Sequence, residues 1–362
     1  MRNVSLQSRV NFGNPTDGPD HGKDLMPMPR DTMLDKPAQQ ATPLDSDAPE
    51  DRAAPTPVKG DADAGRVLVV VNPKSGKGGE GWADDVARVV TEVFGADRVE
   101  VAKDTPNVLI DRTRKAVEDG IWMVVVSGGD GTIAAVSEQV AGSDTILGII
   151  PGGTFNYFAR GLNIPEDLEQ SAQVLRSGRP QAIDVGDVNG RIFLNNASLG
   201  VYPAILKERE GVYAHWGRSR VAAYWSVIRT MWKMRRPLKL KIEVDGKTLT
   251  RRTSVAFVAN SAFQLDRFEI GAADELRNGK MALLIAPNVP RFTLMAKAVW
   301  LGLGRASAGT DYEVITSDRF VISARRKRQA VARDGERDVL TAPWDMRLRK
   351  GALRVMVPNA TA

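Results

Sequence analysis

The chain has 362 residues, 43% of them hydrophobic, with a formal net charge of +6, so it can build two domains with real cores, while no apolar stretch reaches the ~18–20 residues of a membrane-spanning helix. It has no cysteine and only two histidines, His21 and His215, which excludes disulfides and thiolate chemistry and leaves a histidine triad or multi-histidine zinc site without its residues. Chemistry must run on carboxylates, Lys or Arg, hydroxyls, backbone amides or a hard cation such as Mg2+.

Charge is unevenly spread. Residues 1–65 carry 7 Lys+Arg against 11 Asp+Glu, and the remainder 43 against 33. A basic body points to an anionic partner: nucleic acid, an anionic bilayer or a phosphorylated substrate. Residues 1–64 hold nine of the twenty prolines and no sustained periodicity, the composition of a disordered tail. The opening residues lack an apolar core and contain early acids, so neither a secretory signal nor a transit peptide is expected.

From Arg66 the pattern changes. Arg66–Asn72 is a continuous apolar run, which predicts a strand buried on both faces. A glycine-rich turn follows, then a helix over Trp82–Phe94, a strand over Arg98–Ala102, a helix over Asn107–Asp119 and a strand over Trp122–Ser127. A second glycine turn leads to a helix over Thr132–Val140, and strand Ile146–Ile150 ends at a third, with a helix from Asn156. This alternation predicts a Rossmann-like parallel sheet with helices on both faces, over 65–185. After about Ile183 the texture is β-rich. Strands are predicted at Arg191–Asn195, Leu238–Val244, Thr248–Ala259, Met281–Ala286, Glu313–Ser323, Gln329–Arg333 and Leu353–Val357, with a hairpin at Asp245-Gly246. The expectation is an α/β fold whose second, mostly antiparallel domain covers 186–358, with a site between the two.

Three glycine turns fall at the carboxyl ends of predicted parallel strands, where open α/β sheets bind ligands. They are Asn72-Pro73-Lys74-Ser75-Gly76-Lys77-Gly78-Gly79, Ser127-Gly128-Gly129-Asp130-Gly131-Thr132 and Pro151-Gly152-Gly153-Thr154-Phe155-Asn156. Residues without Cβ let backbone N–H groups approach a phosphate, and a following helix N-terminus adds partial positive charge. Each turn alone also serves as a plain tight turn. Gly76-x-Gly78-x-x-Gly81 matches a dinucleotide fingerprint, with Asp104 about 23 residues on, so an oxidoreductase has to be weighed. A Walker A loop does not fit, because Gly78 follows Lys77 where Ser or Thr is required.

Together the three turns resemble the diacylglycerol kinase catalytic-domain family, which includes bacterial lipid kinases and is related to sphingosine and ceramide kinases. The resemblance continues through Asp184-Val185-Gly186 and Phe193-Leu194-Asn195-Asn196 to Asp334-Gly335-Glu336. Gly128-Gly129-Asp130-Gly131 also looks like NAD kinases, so a soluble substrate is the first rival; a catalytically weak nucleotide- or lipid-binding regulator is the second. The resemblance implies ATP and Mg2+, with Asn72, Pro73, Lys74, Ser75, Gly76, Thr105, Gly128, Gly129, Asp130, Gly131, Thr132, Gly153, Thr154 and Asn156 around the nucleotide. It implies Glu336 as proton acceptor, with Asp334 and Asp130 as catalytic or metal-binding carboxylates. It further implies a diacylglycerol-like lipid, a role in phospholipid synthesis, a cytoplasmic enzyme peripherally bound to the inner face of the membrane, and it leaves a homodimer open. Ala135, Tyr157 and Asn278 depart from the family pattern, which has Glu, Asp and a metal-binding Asp there. Between Glu210 and Glu243 eight cations interleave with Trp216, Tyr224, Trp225 and Trp232, suiting an anionic bilayer or a core helix with a basic rim. No nucleic-acid module accompanies them. Phe292–Leu303 offers a second apolar stretch for a lipid entrance or a core.

Overall fold

The structure, a computed structural model, describes residues 65–73, 81–200, 237–267, 269–288, 293 and 312–359. The expectations for the 1–64 tail, most of the basic tryptophan segment and nearly all of 292–303 lie outside the described residues.

The first half follows the predicted alternation: β1 (Val67–Val71), α1 (Trp82–Phe94), β2 (Val99–Lys103), α2 (Pro106–Glu118), β3 (Met123–Gly128), α3 (Asp130–Val140) and β4 (Ile146–Pro151). Every residue of β1, β3 and β4 is buried. These strands sit in a parallel stretch ordered β2-β1-β3-β4, covered on both faces, and so read as unbroken apolar runs. Leu68, Val124, Val126 and Leu147 pack with Leu109 of α2 and Ile133 of α3 on one face. Val67, Val69, Val125 and Ile150 pack with Val86 and Val90 of α1 on the other. The short helix α4 (Tyr157–Gly161) follows, then α5 (Leu168–Ser177) and the ten-residue strand β5 (Arg179–Val188), which the sequence reading had not drawn.

The remaining elements are β6 (Arg191–Phe193), β7 (Asn196–Gly200), β8 (Leu238–Val244), β9 (Lys247–Thr253), β10 (Val255–Ala259), α6 (Ala262–Arg267), α7 (Ala273–Arg277), β11 (Met281–Ile285), β12 (Glu313–Ser317), β13 (Arg319–Ala324), β14 (Arg328–Arg333), β15 (Glu336–Thr341) and β16 (Trp344–Val357). They complete two sheets. The first continues from β4 through β16, β13, β8 and β9, with β5 attached at β16 and β6 at β5; the second is antiparallel, ordered β12-β11-β10-β7-β14-β15. Phe193, Leu199, Val258, Leu283, Phe320 and Trp344 fill the core between the two sheets. Helices α6 and α7 cover part of the second sheet's other face through Leu265 and Ala273.

Two expected strands, Thr248–Ala259 and Glu313–Ser323, are each two, and the expected Arg191–Asn195 is β6 followed by the link to β7; at all three the chain leaves one sheet for the other. Backbone N–H groups lose ladder partners at such a crossing and need others. Thr253 Oγ1 accepts from the Val255 N–H at 3.1 Å, and Ser317 Oγ accepts from the Arg319 N–H at 3.2 Å. At the β6–β7 crossing the Asp334 carboxylate does this for three groups. The expected strand Leu353–Val357 is the end of the 14-residue β16. That strand pairs parallel with β4 through Arg354 and Val355 and antiparallel with β5, with a register shift between Arg349 and Leu353. The shift and the charged residues around it hide its alternation.

Candidate active site

Because β1, β3 and β4 are parallel, the chain leaves all three at one edge of the sheet. Of the first turn, buried Asn72 and exposed Pro73 are described; Lys74, Ser75 and Gly76 lie outside the described residues. The other two turns are locked together by small-residue packing. A Cβ on Gly153 would stand 2.5 Å from Gly129 Cα and 2.7 Å from Asn156 Oδ1, and one on Gly128 2.7 Å from Thr132 Cβ. Trp82, at the start of α1, donates its indole N–H to Ser127 Oγ at 3.1 Å.

Asn156 braces the third turn from within, in a left-handed conformation with φ 50°. Its Oδ1 accepts from the Gly153 N–H at 2.9 Å, and its Nδ2 donates to the Gly153 carbonyl at 3.1 Å and to Glu166 Oε1 at 2.6 Å. Glu166 in turn takes a two-pronged grip from Arg160, with Nε at 3.1 Å and Nη2 at 2.9 Å. Thr154 and Phe155 are left exposed at the tip of the turn. Thr105 precedes α2 as its N-cap residue and makes no side-chain cap bond.

Asp130 opens α3 and accepts a long 3.3 Å bond from the Phe158 N–H. Burial pushes its carboxyl above the usual carboxylate range, opposed by backbone N–H groups of residues 156–158. Beside it, Tyr157 stacks parallel on Phe155 with ring centroids 5.5 Å apart. Burial raises the Tyr157 phenol, while the neighbouring Arg267 of α6, also hydrogen-bonded to it, pulls it down. The departure at Tyr157 therefore ties the third turn to the helix on the second sheet.

Glu336 arrives from the far end of the chain. A Cβ on Gly131 would lie 3.1 Å from Glu336 Oε1, so the carboxylate stands over the first turn of α3. Arg333 fixes that approach: it is 8% exposed, and its guanidinium bonds Asp338 Oδ2 at 2.5 Å, lies 3.7 Å from Glu138 of α3 and donates to the Ile192 carbonyl. Asp334, two residues before Glu336, has φ 47°. Its Oδ2 accepts from the Leu194 N–H at 2.7 Å, and its Oδ1 from the Asn195 and Asn196 N–H groups at 2.7 and 3.1 Å. Enclosure by the loop raises this carboxyl to about 6, although the three N–H groups favour its charge.

Four cations, Arg333, Arg267, Lys103 and Arg112, lay outside the sequence expectations, and Asp104 entered them only through the dinucleotide fingerprint. Arg333 and Arg267 carry no motif signal of their own. Lys103, Asp104 and Arg112, with Ala87, Val101 and Ala102, line a cavity of about 450 Å3 between α1, β2 and α2, next to Thr105 and within the size range of small-molecule sites. Lys103 at the end of β2 and Arg112 on α2 were the available clue.

The site thus belongs to the α/β class that collects glycine turns at the carboxyl edge of a parallel sheet and brings a carboxylate to them from a second, antiparallel sheet. A sequence profile of the diacylglycerol kinase catalytic domain matches residues 66–188. Over 234 residues the chain is 32% identical to the diacylglycerol kinase of Bacillus subtilis (strain 168), covering 61% of this chain and 73% of that one. Against the diacylglycerol kinase of Mycobacterium tuberculosis (strain H37Rv) it is 30% identical over 188 residues, 50% of this chain and 60% of the relative. A crystal structure of a diacylglycerol kinase from Bacillus anthracis str. Sterne has the same fold, with a TM-score of 0.63 at 21% identity, over 83% of this chain and 100% of that one. The chain belongs to the diacylglycerol kinase catalytic-domain family.

Proposed function

We propose that the protein is an ATP-dependent kinase that transfers the γ-phosphate to the hydroxyl of a diacylglycerol-like lipid, giving a phosphatidic-acid-like product. The observation that carries this reading is the Glu336 carboxylate standing over Gly131, at the N-terminus of α3. Phosphoryl transfer asks little covalent chemistry of a protein; it needs alignment, charge neutralisation and a proton acceptor. The turns at Gly128–Thr132 and Gly153–Thr154, with Asn72–Gly76, cradle the phosphates, and the N-terminus of α3 supplies oriented N–H groups. The cavity beside Thr105 takes the rest of the nucleotide. Glu336 accepts the proton of the lipid hydroxyl while its oxygen attacks the γ-phosphorus and ADP leaves.

The described residues contain no cluster of three or more metal-ligating acids or histidines. On this reading Mg2+ would be held chiefly by phosphates and water with one carboxylate, a role we assign to Asp130. Held there, the cation would supply neutralisation of the phosphate oxygens' charge. Asp334 suits anchoring better, since both its oxygens are occupied by backbone N–H groups. No helix among the described residues is long and apolar enough to cross a membrane, and on this reading the lipid is met at a membrane surface.

The test incubates the protein with radiolabelled ATP, Mg2+ and vesicles holding diacylglycerol, a sphingoid base and ceramide, with NAD in a parallel tube. Label in diacylglycerol supports the proposal. Label in NAD alone, or no label despite ATP binding, overturns it in favour of a soluble-substrate kinase or a regulator. Glu336→Gln is expected to lower turnover by a factor of ~10²–10⁴ with ATP affinity retained; unchanged turnover would remove Glu336 as the base.

A further inference from the structure

The turn joining β13 to β14 reads Arg325-Arg326-Lys327 and runs directly into Arg328, four consecutive cations, all exposed. Strand register sets two more beside them. Ala324 pairs with Leu240, so the turn leaves the sheet next to Lys239, and Lys239 pairs directly with Arg252. Both are exposed. Other cations nearby are neutralised: Lys241 by Glu243 at 2.6 Å, Arg251 by Glu313 at 2.7 Å and Arg319 by Asp345 at 2.8 Å. None of the six has an ion-pair partner among the described residues. Like charges so arranged repel one another without stabilising the fold. Among the described residues no acid supplies their counter-charge.

We infer that this six-cation patch docks the protein on an anionic lipid bilayer. The choice of a bilayer over another polyanion rests in part on the lipid-kinase reading above. Clusters of four to eight Lys and Arg are the size that binds acidic lipids. The patch contains no aromatic side chain, and a nucleic acid strand would find no surface on which to stack a base. Its position also suits a lipid substrate. The β14–β15 hairpin has the patch at its open end, at Arg328, and the Asp334-Gly335 turn before Glu336 at the other. Five residue steps of strand span ~17 Å, close to the ~15 Å of one leaflet of hydrocarbon. Between them half-buried Ala330 and its pair partner Val339, which is 47% exposed, give the hairpin an apolar outer strip. A lipid headgroup can therefore reach the site while its tails extend back toward the bilayer.

The test is co-sedimentation of the full chain with vesicles of neutral phosphatidylcholine, alone or with about 30% phosphatidylglycerol to supply anionic headgroups. Two triple variants are compared: Arg325→Gln/Arg326→Gln/Lys327→Gln, and a control with the same charge loss elsewhere, Arg114→Gln/Lys115→Gln/Arg176→Gln. Thermal melts establish that both fold. Each docking cation is worth about a fivefold change in partitioning, so the patch variant should bind acidic vesicles roughly a hundredfold more weakly, with the control close to the parent. Equal weakening in both variants, no binding by the parent, or a patch that governs binding to single-stranded RNA and not to vesicles overturns the inference. The readout needs no turnover, so failure of the kinase reading and failure of this one are separable.

Discussion

At the residue scale, the glycines of the second and third turns divide by what surrounds them. Gly153 is held by contact, since a Cβ there would meet Gly129 Cα at 2.5 Å, and backbone cannot swing aside. Gly153→Ala should cost about 1–3 kcal/mol of stability and weaken ATP binding, read by denaturant unfolding and nucleotide titration. Gly131→Ala meets only the flexible Glu336 Oε1 at 3.1 Å, so stability should hold while turnover falls. Equal damage to stability from both would refute the distinction. Asp334 supplies a pH prediction. Its carboxyl stands at about 6 in the fold against an ordinary 3.8, so the folded state binds the proton more tightly. Its contribution to stability is present below about pH 4 and is lost as pH rises through 6. The unfolding free energy of the parent should therefore fall by about 2 kcal/mol more between pH 4.5 and 7 than that of Asp334→Asn. Parallel curves would show that the carboxyl is not raised.

At the element scale, the β14–β15 hairpin delivers Glu336, and Arg333 holds the hairpin to α3. Removing one partner of a buried ionic network costs about 3–5 kcal/mol, whereas replacing the partners together with apolar groups can be nearly neutral. Arg333→Met should be strongly destabilised. Arg333→Met/Asp338→Leu should recover much of that loss, while Glu138 keeps its 2.8 Å pair with Arg191. Turnover should stay low in the double variant, because stability returns without the tie to α3; full recovery of kcat would show that Arg333 serves stability alone. This element also marks where sequence reading stopped. Asp334-Gly335-Glu336 was visible as a motif, but its closeness to Gly131 depends on pairing across some two hundred residues. The buried runs of β1, β3 and β4 were legible because both faces of each strand are covered. The crossings at Thr253-Ser254 and Ser317-Asp318 were not, because alternation persists while the hydrogen-bonding partner changes. Their signal was the hydroxyl two residues before the next N–H, which competes locally with the ladder.

At the scale of the molecule, β16 is the element that joins the two halves. Its later residues Leu353, Val355 and Val357 belong to the same core as Leu68, Val124 and Leu147, and its earlier Trp344 and Met346 lie in the core between the sheets. The nucleotide-binding region proposed over 65–185 thus draws part of its core from the end of the chain. Expressed alone, a fragment of residues 65–188 would leave the β4 edge without the β16 partners of Ile146 and Leu147 and strip β5 of its long pairing with β16. An uncovered apolar edge of this kind invites association. The fragment should show helical far-ultraviolet circular dichroism but weak near-ultraviolet signal and dye-accessible apolar surface. Adding a synthetic peptide of residues 344–359 in trans should restore fixed packing and nucleotide binding. A fragment that melts cooperatively without the peptide would show that the parallel sheet folds by itself, and would reduce β16 to a strut between two independent halves.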